Sequence, residues 1–181
     1  MVATQPVNHD ENAAPTLATR YVVVALAGRR LALPLIDVER GVRMVDITCL
    51  ANAPPTVRGI INVAGRIVPV IDIRRHFGLA DREVSASDHL LITRASTQGT
   101  TQGPARTLAL WVDAIEGVME ATPQRMPAML PGDEMHYAAG AIKLADGLVL
   151  VHDLDALLSF DDACALELLL AETTGKQGDS Q

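Results

Sequence analysis

The chain repeats part of its own sequence, and this repeat limits the folds that it can adopt. The segment RGIINVAGRIVPVIDIR, from Arg58 to Arg74, aligns without a gap with AGAIKLADGLVLVHDLD, from Ala139 to Asp155. We call this alignment the long repeat. Asp72 meets Asp153 in it, and apolar residues face apolar residues at most other positions. The structural elements of this stretch are therefore expected to occur twice in one chain.

A second alignment, the short repeat, precedes the long repeat in each half of the chain. It lays LALPLIDVERG, from Leu31 to Gly41, over LALWVDAIEGV, from Leu108 to Val118. Two copies are too few for a solenoid, so the repeats indicate two similar β-subdomains of about 70–80 residues each. Hydrophobic residues make up 49% of the chain and aromatic residues only 3%, which favours an aliphatic, β-branched core built from strands. Short strands between Gly and Pro turns are typical of barrels and sandwiches.

The segment VRGIINVAGRIVPVIDIRRHFGL, residues 57–79, is predicted to be a strand, a turn and a returning strand, with glycines at the bends. Pro69 lacks a backbone N–H and therefore suits an edge strand or a bulge better than a central ladder position. Asp72 recurs as Asp153, so we expect it to be architectural, with a carboxylate that accepts backbone N–H groups at a barrel corner. Contact with a ligand is the alternative.

The rest of the chain divides by composition. Residues 1–19 are polar, without periodicity, and are predicted to be a disordered arm. Residues 20–160 form the predicted β domain, with the switch between subdomains near 85–95. Residues 161–172, which contain ACALELLLAE after two aspartates, predict a short C-terminal helix, and residues 173–181 a disordered tail.

Charge and targeting signals exclude several functions. The net charge of −7 and the absence of a Lys/Arg cluster argue against binding to nucleic acid or to anionic membranes. The N-terminus lacks the basic and apolar regions of a secretory signal, and no apolar run reaches the length of a membrane span. Cys49 and Cys164 are far apart and form no CxxC motif. These features predict a reduced, cytoplasmic setting.

No catalytic constellation is recognisable. None of the five histidines is spaced with another ligand as in a metal site, and each is interpreted as structural. His152 and Asp153 are neighbours, but adjacent residues of a strand point to opposite faces. Nucleophile-elbow, dinucleotide-binding and phosphate-loop motifs are absent from the sequence. The sequence therefore predicts no enzyme activity, no metal and no cofactor.

Two features are compatible with a binding role. Strands with the composition of GIINVAG can offer backbone and aliphatic surface to a partner, although the same pattern is equally expected of a core strand. Arg58 and the run Arg74-Arg75 place charges beside apolar strands. Such charges are either a solvated face or members of specific ion pairs.

The segment 57–79 resembles the signature of the CheW-like adaptor family, V-[RK]-G-[IV]-x-N-L-R-G-x-I-[VL]-P-[VI]-[VI]-D-L-R-x-x-F. The matching positions are Val57, Arg58, Gly59, Ile60, Asn62, Gly65, Ile67, Val68, Pro69, Val70, Ile71, Asp72, Arg74 and Phe77. The similarity extends from about Tyr21 to Leu158. It implies a mainly β fold of two intertwined, five-stranded SH3-like barrels.

The resemblance also implies a function. Members of the family are non-catalytic scaffolds that couple chemoreceptors to a CheA-type histidine kinase in a signalling array. They bind the kinase's regulatory domain and the cytoplasmic tip of the receptors, so the protein is expected at the inner face of the membrane without inserting into it. The alternative is a diverged adaptor or inhibitor in a non-flagellar chemosensory system, such as one controlling pili or surface growth.

The partner-binding residues that the resemblance implies are Val38, Glu39, Arg58, Gly59, Asn62, Val63 and Ala64. Two positions depart from the family pattern. Ala64 stands where the N-L-R-G turn has arginine, and Arg40 stands where a V-x-E segment has glutamate. Those two family residues can pair, so either Glu39 and Arg58 replace the pair or the partner surface has changed.

Overall fold

The computed structural model describes residues 18–51, 53–95, 106–124, 138–145 and 147–158. Within them, ten strands follow one another, with two short 3-10 helices and one α-helix. The strands are β1 (Thr19–Leu26), β2 (Arg29–Pro34), β3 (Val38–Arg43), β4 (Val57–Val63), β5 (Arg66–Ile71), β6 (His89–Ala95), β7 (Arg106–Val112), β8 (Ala114–Ala121), β9 (Ala138–Leu144) and β10 (Gly147–His152). The 3-10 helices span Leu35–Asp37 and Ile73–Phe77, and α1 spans Leu154–Leu157.

The strands form two five-stranded sheets, in the orders β8-β1-β2-β10-β9 and β3-β6-β7-β5-β4. The first sheet closes where Gln124, just after β8, bridges to Ala141 of β9. The second closes in the same way where Thr48, after β3, bridges to Ile60 of β4. We call the closed sheets the first and the second barrel. The predicted fold class, mainly β with two five-stranded barrels, is confirmed.

The chain crosses between the barrels at places that the sequence did not indicate. It leaves the first barrel through Leu35–Asp37, builds all of the second barrel with β3 to β7, and returns at Asp113. The predicted switch near 85–95 is wrong, because His89–Ala95 is β6 and pairs with two strands inside the second barrel. A repeat shows which strands are equivalent, but it does not show which strands pair.

The internal repeat is confirmed at the level of strand register. In the first barrel Val151 of β10 faces Ala32 of β2 in a parallel pair. In the second barrel Val70 of β5 faces Ala109 of β7, also in a parallel pair. The long repeat aligns Val151 with Val70, and the short repeat aligns Ala32 with Ala109. The segment 57–79 therefore belongs to the second barrel.

A bulge recurs as well. Arg58 is the extra residue between the pairs Val57–Ile71 and Gly59–Val70. Ala139 takes the same position on β9. A bulge re-aims its side chain and tightens the local twist, so its repetition shows that both barrels turn the same corner in the same way.

Asp72 is architectural, as predicted. Its Oδ1 accepts the backbone N–H of Arg74 at 3.0 Å and caps the 3-10 helix that follows β5. Asp153 accepts the N–H groups of Asp155 and Ala156, at 2.9 and 3.4 Å, and caps α1. An aspartate at the cap satisfies donors that the first helical turn leaves unpaired.

The placement predicted for Pro69 is wrong. Its strand β5 lies between β7 and β4, away from the sheet edge. Pro69 faces Ile60, whose N–H and C=O both bond to Thr48 on the other side of β4. Pro69 and Ile60 are therefore a non-hydrogen-bonded pair, and the ladder needs no N–H from residue 69 toward β4.

The hydrophobic core has three parts. Each barrel has its own cluster, around Val149 and Val151 in the first and around Trp111 and Val68 in the second. The largest cluster lies between the barrels and contains buried residues of both. Because aliphatic burial contributes about 1.5–3 kcal/mol for each side chain, the shared core is the main attachment between the barrels. Its members include Val24, Leu33, Leu110 and Phe77, covered by Leu154, Leu157 and Leu158 at α1.

The predicted terminal segments are largely outside the described residues. Thr19, the last residue of the predicted arm, already belongs to β1, so the β domain begins one residue earlier than predicted. The helix predicted at 161–172 and the tail at 173–181 lie beyond Leu158. The described helix α1 precedes them.

His152 is a buried core histidine at the junction of the barrels. It is 1% exposed, and its ring stands edge-on to Phe77 of the second barrel at 5.2 Å between centroids. Burial lowers its pKa from 6.5 to about 4, against a smaller opposing effect of the Leu150 carbonyl. The folded state therefore binds fewer protons than the unfolded state between these values. The contribution to stability is complete above pH 6.5 and is lost as the pH falls from 6.5 toward 4.

We predict that the His152→Ile variant, which carries the residue of the equivalent position 71, loses most of this pH dependence. The wild-type free energy of unfolding should fall between about pH 6.5 and 4.5 by up to about 1.4 kcal/mol per pH unit, the maximum for one proton. Urea unfolding at several pH values measures the slope in both proteins. An equal slope in the variant would assign the effect to other groups.

Candidate functional site

The seven predicted site residues all lie on the second barrel, but in three separate places. Four of them, Glu39, Asn62, Val63 and Ala64, lie around the β4–β5 turn, and we call this place the hairpin tip. Arg58 and Gly59 lie at the opposite end of β4. Val38 is half-buried and packs against the core that the two barrels share. The structure therefore does not unite the predicted residues in one patch.

The hairpin tip is a two-residue turn with left-handed backbone. Ala64 has φ 50° and Gly65 has φ 83°, the signs of a type I′ turn. The Oδ1 atom of Asn62 accepts the N–H of Gly65 at 2.8 Å and fixes the turn from the preceding strand. Ala64 is exposed, and its backbone bears the steric cost of an L-residue in this region.

An ion pair ties the hairpin tip to β3. Glu39 is a bulge residue, because Val38 faces Thr93 and Arg40 faces Ile92. Its carboxylate lies 3.3 Å from an Nη2 of Arg66, which follows the turn. The sequence comparison proposed Glu39 and Arg58 as a replacement pair. The structure instead pairs Glu39 with Arg66. Glu39 is one residue before the position at which the family pattern has glutamate, and Arg66 is two residues after the position at which it has arginine.

At the other end of β4, Gly59 is required by its surroundings. Its φ is +145°, and a Cβ atom there would lie 2.3 Å from the backbone oxygen of Thr48 and 2.7 Å from Ile47 Cγ2. Any side chain would break the bridge that closes the barrel. The predicted conformational role of Gly59 is confirmed, and its role in partner contact stays a prediction.

Arg58 is held in place by acceptors of the same barrel. Its Nη2 lies 3.0 Å from Asp81 and donates to the Arg82 carbonyl at 2.5 Å, while its Nε lies 3.7 Å from buried Asp72. The side chain is still 25% exposed. Arg58 is thus a fixed cation at the surface rather than a mobile one.

Arg58 borders a groove of about 550 Å³ between the segment after β3 and the loop before β6. Its wall is mostly apolar, with acidic groups at two places. It is lined by Met44, Val45, Asp46, Ile47, Cys49, Arg58, Glu83, Val84 and Ala86. Val45 and Val84, one on each wall, are 48% and 40% exposed, so the groove presents aliphatic surface from both sides.

A cationic cluster around Trp111 supports this end of the barrel. Three guanidinium groups, of Arg58, Arg74 and Arg82, lie 4.7–4.9 Å from the centre of the indole ring. The ring is fully buried and donates its Nε1–H to Asp88 at 3.0 Å. A cation–π contact is worth about 2 kcal/mol when the cation is desolvated and about 0.5–1 kcal/mol when it is exposed. Arg74 is buried, whereas Arg58 and Arg82 are 25% and 35% exposed, so the contact with Arg74 is the strongest of the three.

Carboxylates balance the cations of this cluster. Asp88 accepts both Nη groups of Arg82, at 2.9 and 2.7 Å, and the N–H of Ser85 at 2.8 Å. Burial alone would raise the pKa of Asp88, but the hydrogen bonds from Arg82, Ser85 and Trp111 together hold that pKa below its ordinary value. Both members of the pair therefore stay charged at neutral pH.

Asp113 links the cluster to the first barrel. Its Oδ1 accepts Arg82 at 2.6 Å and also accepts buried Arg74. Its Oδ2 accepts the N–H of Ala27 at 2.6 Å, in the left-handed β1–β2 turn. Burial opposes the charge of Asp113, yet these bonds lower its pKa. Asp113 lies where the chain returns from β7 of the second barrel to β8 of the first. Its hydrogen bonds therefore hold this connection and the arginine cluster around Trp111 in place together.

The two residues of the arginine run 74–75 differ, because Arg74 is buried in a specific ion pair and Arg75 is exposed in a surface pair. Arg74 pairs with Asp113, and Arg75 Nη2 lies 3.5 Å from Asp81. Sequence reasoning missed the cluster as a whole. The available signal was the single tryptophan of the chain, Trp111, two residues before an aspartate in a strand that is otherwise aliphatic.

Within the described residues, no group of three or more His, Cys, Asp or Glu side chains is arranged to hold a metal ion. No helix in the same part of the chain is long and apolar enough to cross a membrane. Cys49 is a free, exposed thiol at the groove.

Comparisons with known proteins agree with the architecture. Residues 20–162 match the family model described as a CheW-like domain. The chain is similar to the chemotaxis protein CheW of Klebsiella aerogenes, at 22% identity over 158 residues that cover 86% of this chain and 90% of that protein. It is also similar to the chemotaxis protein CheW of Thermotoga maritima, at 23% identity over 129 residues, 71% of this chain and 80% of that protein.

A solved structure has the same fold. The scaffolding protein TtCheW from Thermoanaerobacter tengcongensis matches with a TM-score of 0.67 and 27% identity, covering 81% of this chain and 96% of that chain. Nearly the whole of the solved protein is therefore represented, including both of its barrels.

We predict that Asp88→Asn lowers the free energy of unfolding by about 2 kcal/mol, because the substitution leaves Arg82 without its main counter-charge near a buried indole. Arg82 is 35% exposed, so water offsets part of the loss. The matched control is Asp81→Asn, whose carboxylate is 52% exposed and should contribute less than about 1 kcal/mol. Urea unfolding followed by Trp111 fluorescence compares the two variants. Equal losses would contradict a special role for Asp88.

We also predict that Ala64→Asn stabilises the protein by about 0.5–1 kcal/mol, because Asn-Gly is the preferred sequence of a type I′ turn and tolerates left-handed backbone. The same substitution at Ala121, an ordinary position of β8, should destabilise it. Thermal unfolding of both variants tests the difference. A loss of stability at position 64 would show that the turn has another conformation.

Proposed function

The chain belongs to the CheW-like family, and from this premise we propose that it is a non-catalytic scaffold that couples chemoreceptors to a CheA-type histidine kinase. The observation that carries the proposal is the match of residues 20–162, which includes both barrels. A related structure is that of a scaffolding protein, and relatives are named chemotaxis proteins. A location in the cytoplasm, at the inner face of the membrane, is part of the same proposal.

The partners that we propose are the regulatory domain of the kinase and the cytoplasmic tip of methyl-accepting receptors. Two surfaces of the second barrel are suitable for such contacts. The hairpin tip presents the Glu39–Arg66 pair and exposed Ile67, and the groove presents Arg58 beside exposed aliphatic side chains. An apolar surface with a fixed charge at its border is typical of protein interfaces.

A scaffold of this kind acts without chemistry of its own. If receptor states contact the scaffold differently, the bound kinase experiences a different equilibrium between its active and inactive conformations. A rigid connection between the two barrels favours this mechanism, because a contact on one barrel then constrains the other. The shared core and the bonds of Asp113 supply such a connection.

The direct test is titration of the full chain with the kinase regulatory domain and with a receptor fragment from the same genome. The proposal requires binding to both, and binding to neither would refute it. Binding to the receptor with no activation of the kinase would identify the alternative, a diverged adaptor or inhibitor. Ala64 and Arg40, the departures from the family pattern, are the reason to measure activation separately from binding.

We predict that reversing one charge of the hairpin tip, in Glu39→Arg or Arg66→Glu, weakens binding of one partner at least tenfold, and that the double reversal restores much of it. The pair is exposed and contributes at most about 1 kcal/mol to folding, so the variants should remain folded. The matched control is Glu116→Arg. Glu116 is the equivalent bulge residue of the first barrel and pairs with Arg30 at 2.7 Å.

Unchanged binding in both single variants would remove the hairpin tip from the partner surface. A tenfold loss in Glu116→Arg as well would show that reversal of any bulge charge disturbs the fold. Circular dichroism of each variant separates these outcomes.

A further inference from the structure

The first barrel has a cavity of about 260 Å³ at the end where β10 runs into α1. Asp37, which helps to line it, belongs to the segment that crosses to the second barrel. The cavity is separate from the groove and from the hairpin tip, which belong to the second barrel. The lining residues that matter here are Tyr21, Pro34, Asp37, Ala139, His152 and Asp153.

The internal repeat identifies what fills the equivalent place in the second barrel. The short repeat aligns Pro34 with Trp111, and the long repeat aligns Ala139 with Arg58. The long repeat also aligns Asp153 with Asp72. The Arg58 guanidinium lies 4.9 Å from the indole centre, and Arg58 Nε lies 3.7 Å from the carboxylate of residue 72. In the second barrel, Arg58 therefore contacts both of the other two counterparts.

In the first barrel the carboxylate of this set is kept, but the guanidinium and the indole are absent. Ala139 occupies the bulge position from which Arg58 reaches its aspartate. Pro34 is smaller than the indole that it replaces. The three first-barrel residues all line the cavity, so the cavity corresponds to the volume that Arg58 and Trp111 occupy in the second barrel.

The lining is rich in acceptors. Asp37 and Asp153 are carboxylates, and burial followed by repulsion from Asp155 and Asp153 raises the pKa of Asp37. His152 Nδ1 lies 3.3 Å from the Leu150 carbonyl, and its proton is therefore on Nδ1. The Nε2 atom is then an acceptor. It is buried, with almost no accessible surface, and has no hydrogen-bond partner among the described residues, so the acceptors that the cavity offers to an occupant are the two carboxylates.

We propose that this cavity binds an arginine side chain of a protein partner. A planar guanidinium carries five donors and a charge, which suits a pocket lined by the two carboxylates of Asp37 and Asp153. In the second barrel the same position is served by the chain's own Arg58. Ile36, next to Asp37 in the chain, is 89% exposed and is available for an apolar contact with a partner. The proposal does not depend on the identity of the proposed kinase or receptor.

The probe is N-acetyl-arginine N-methylamide, which has the charge of a protein-borne arginine without the charged α-groups of the free amino acid. Titration into the ¹⁵N-labelled full chain should shift the amide signals of Asp37, Ala139 and Asp153 at millimolar concentration. The blocked citrulline, which has nearly the same shape without the charge, should bind at least tenfold more weakly. Equal binding of citrulline would overturn the assignment to a guanidinium.

Variants locate the site. Ala139→Arg places a guanidinium where Arg58 lies in the other barrel, and it should abolish binding of the probe without unfolding the protein. Asp37→Asn should weaken binding several-fold. The matched substitution Val118→Arg, at an exposed position of the first barrel outside the cavity lining, should leave binding unchanged. Retained binding in Ala139→Arg would overturn the proposal, whatever the behaviour of the other variants.

Two further arms separate the sources of the arginine. Free L-arginine that binds tenfold more tightly than the blocked form would indicate a metabolite site and overturn a protein partner. Arg125 follows Gln124 in the sequence and lies outside the described residues. If the probe binds to the Arg125→Ala variant but not to the unaltered chain, Arg125 itself is the occupant of the cavity. A partner arginine is then excluded.

Discussion

The parallel pairs β2–β10 and β5–β7 are the constraint on which the rest of this structure depends. The first pair joins strands that precede and follow the second barrel in the chain, so the first barrel is completed by strands from both sides of that insertion. Parallel neighbours require a crossover connection, and here the crossover is a complete barrel. The core between the barrels goes with this arrangement, because both crossings of the chain lie where the two barrels meet and buried residues of both barrels pack there.

The two barrels have the same corner geometry and different chemistry at that corner. In the second barrel three residues fill the space, and four charged residues surround them with compensating charge. A buried network of this kind is favourable only when each charge is paired, and its partners here are largely supplied. In the first barrel Ala139 and Pro34 leave a cavity beside the same capping aspartate. Duplication thus preserved the backbone and left the side chains free to take different roles. The filling residues are Arg58, Trp111 and Asp72, and the surrounding ones are Arg74, Arg82, Asp88 and Asp113.

Analysis of the sequence identified the barrels and the architectural role of Asp72, because both depend on a local pattern that recurs in the chain. It also placed a glycine at the bend of residue 59, where the backbone admits no side chain. It did not identify the Glu39–Arg66 pair. These residues are 27 positions apart, and only the bulge in β3 and the β4–β5 turn bring their charges to 3.3 Å. The same limit applies to Trp111 and its cations, which come from four separate elements of the second barrel. No spacing rule connects them.

The sequence by itself determined the class of structure: strands of aliphatic residues, two equivalent sets of them, the turns between them and the family to which they belong. These properties follow from periodicity, Gly and Pro positions and the repeat, all of which are local or can be aligned. Only the tertiary structure decided which strands pair, where the chain crosses between barrels and which charges meet. Strand pairing is selected by the burial of a common core between segments far apart in the chain. The energy of that burial depends on three-dimensional packing, which no stretch of sequence contains by itself.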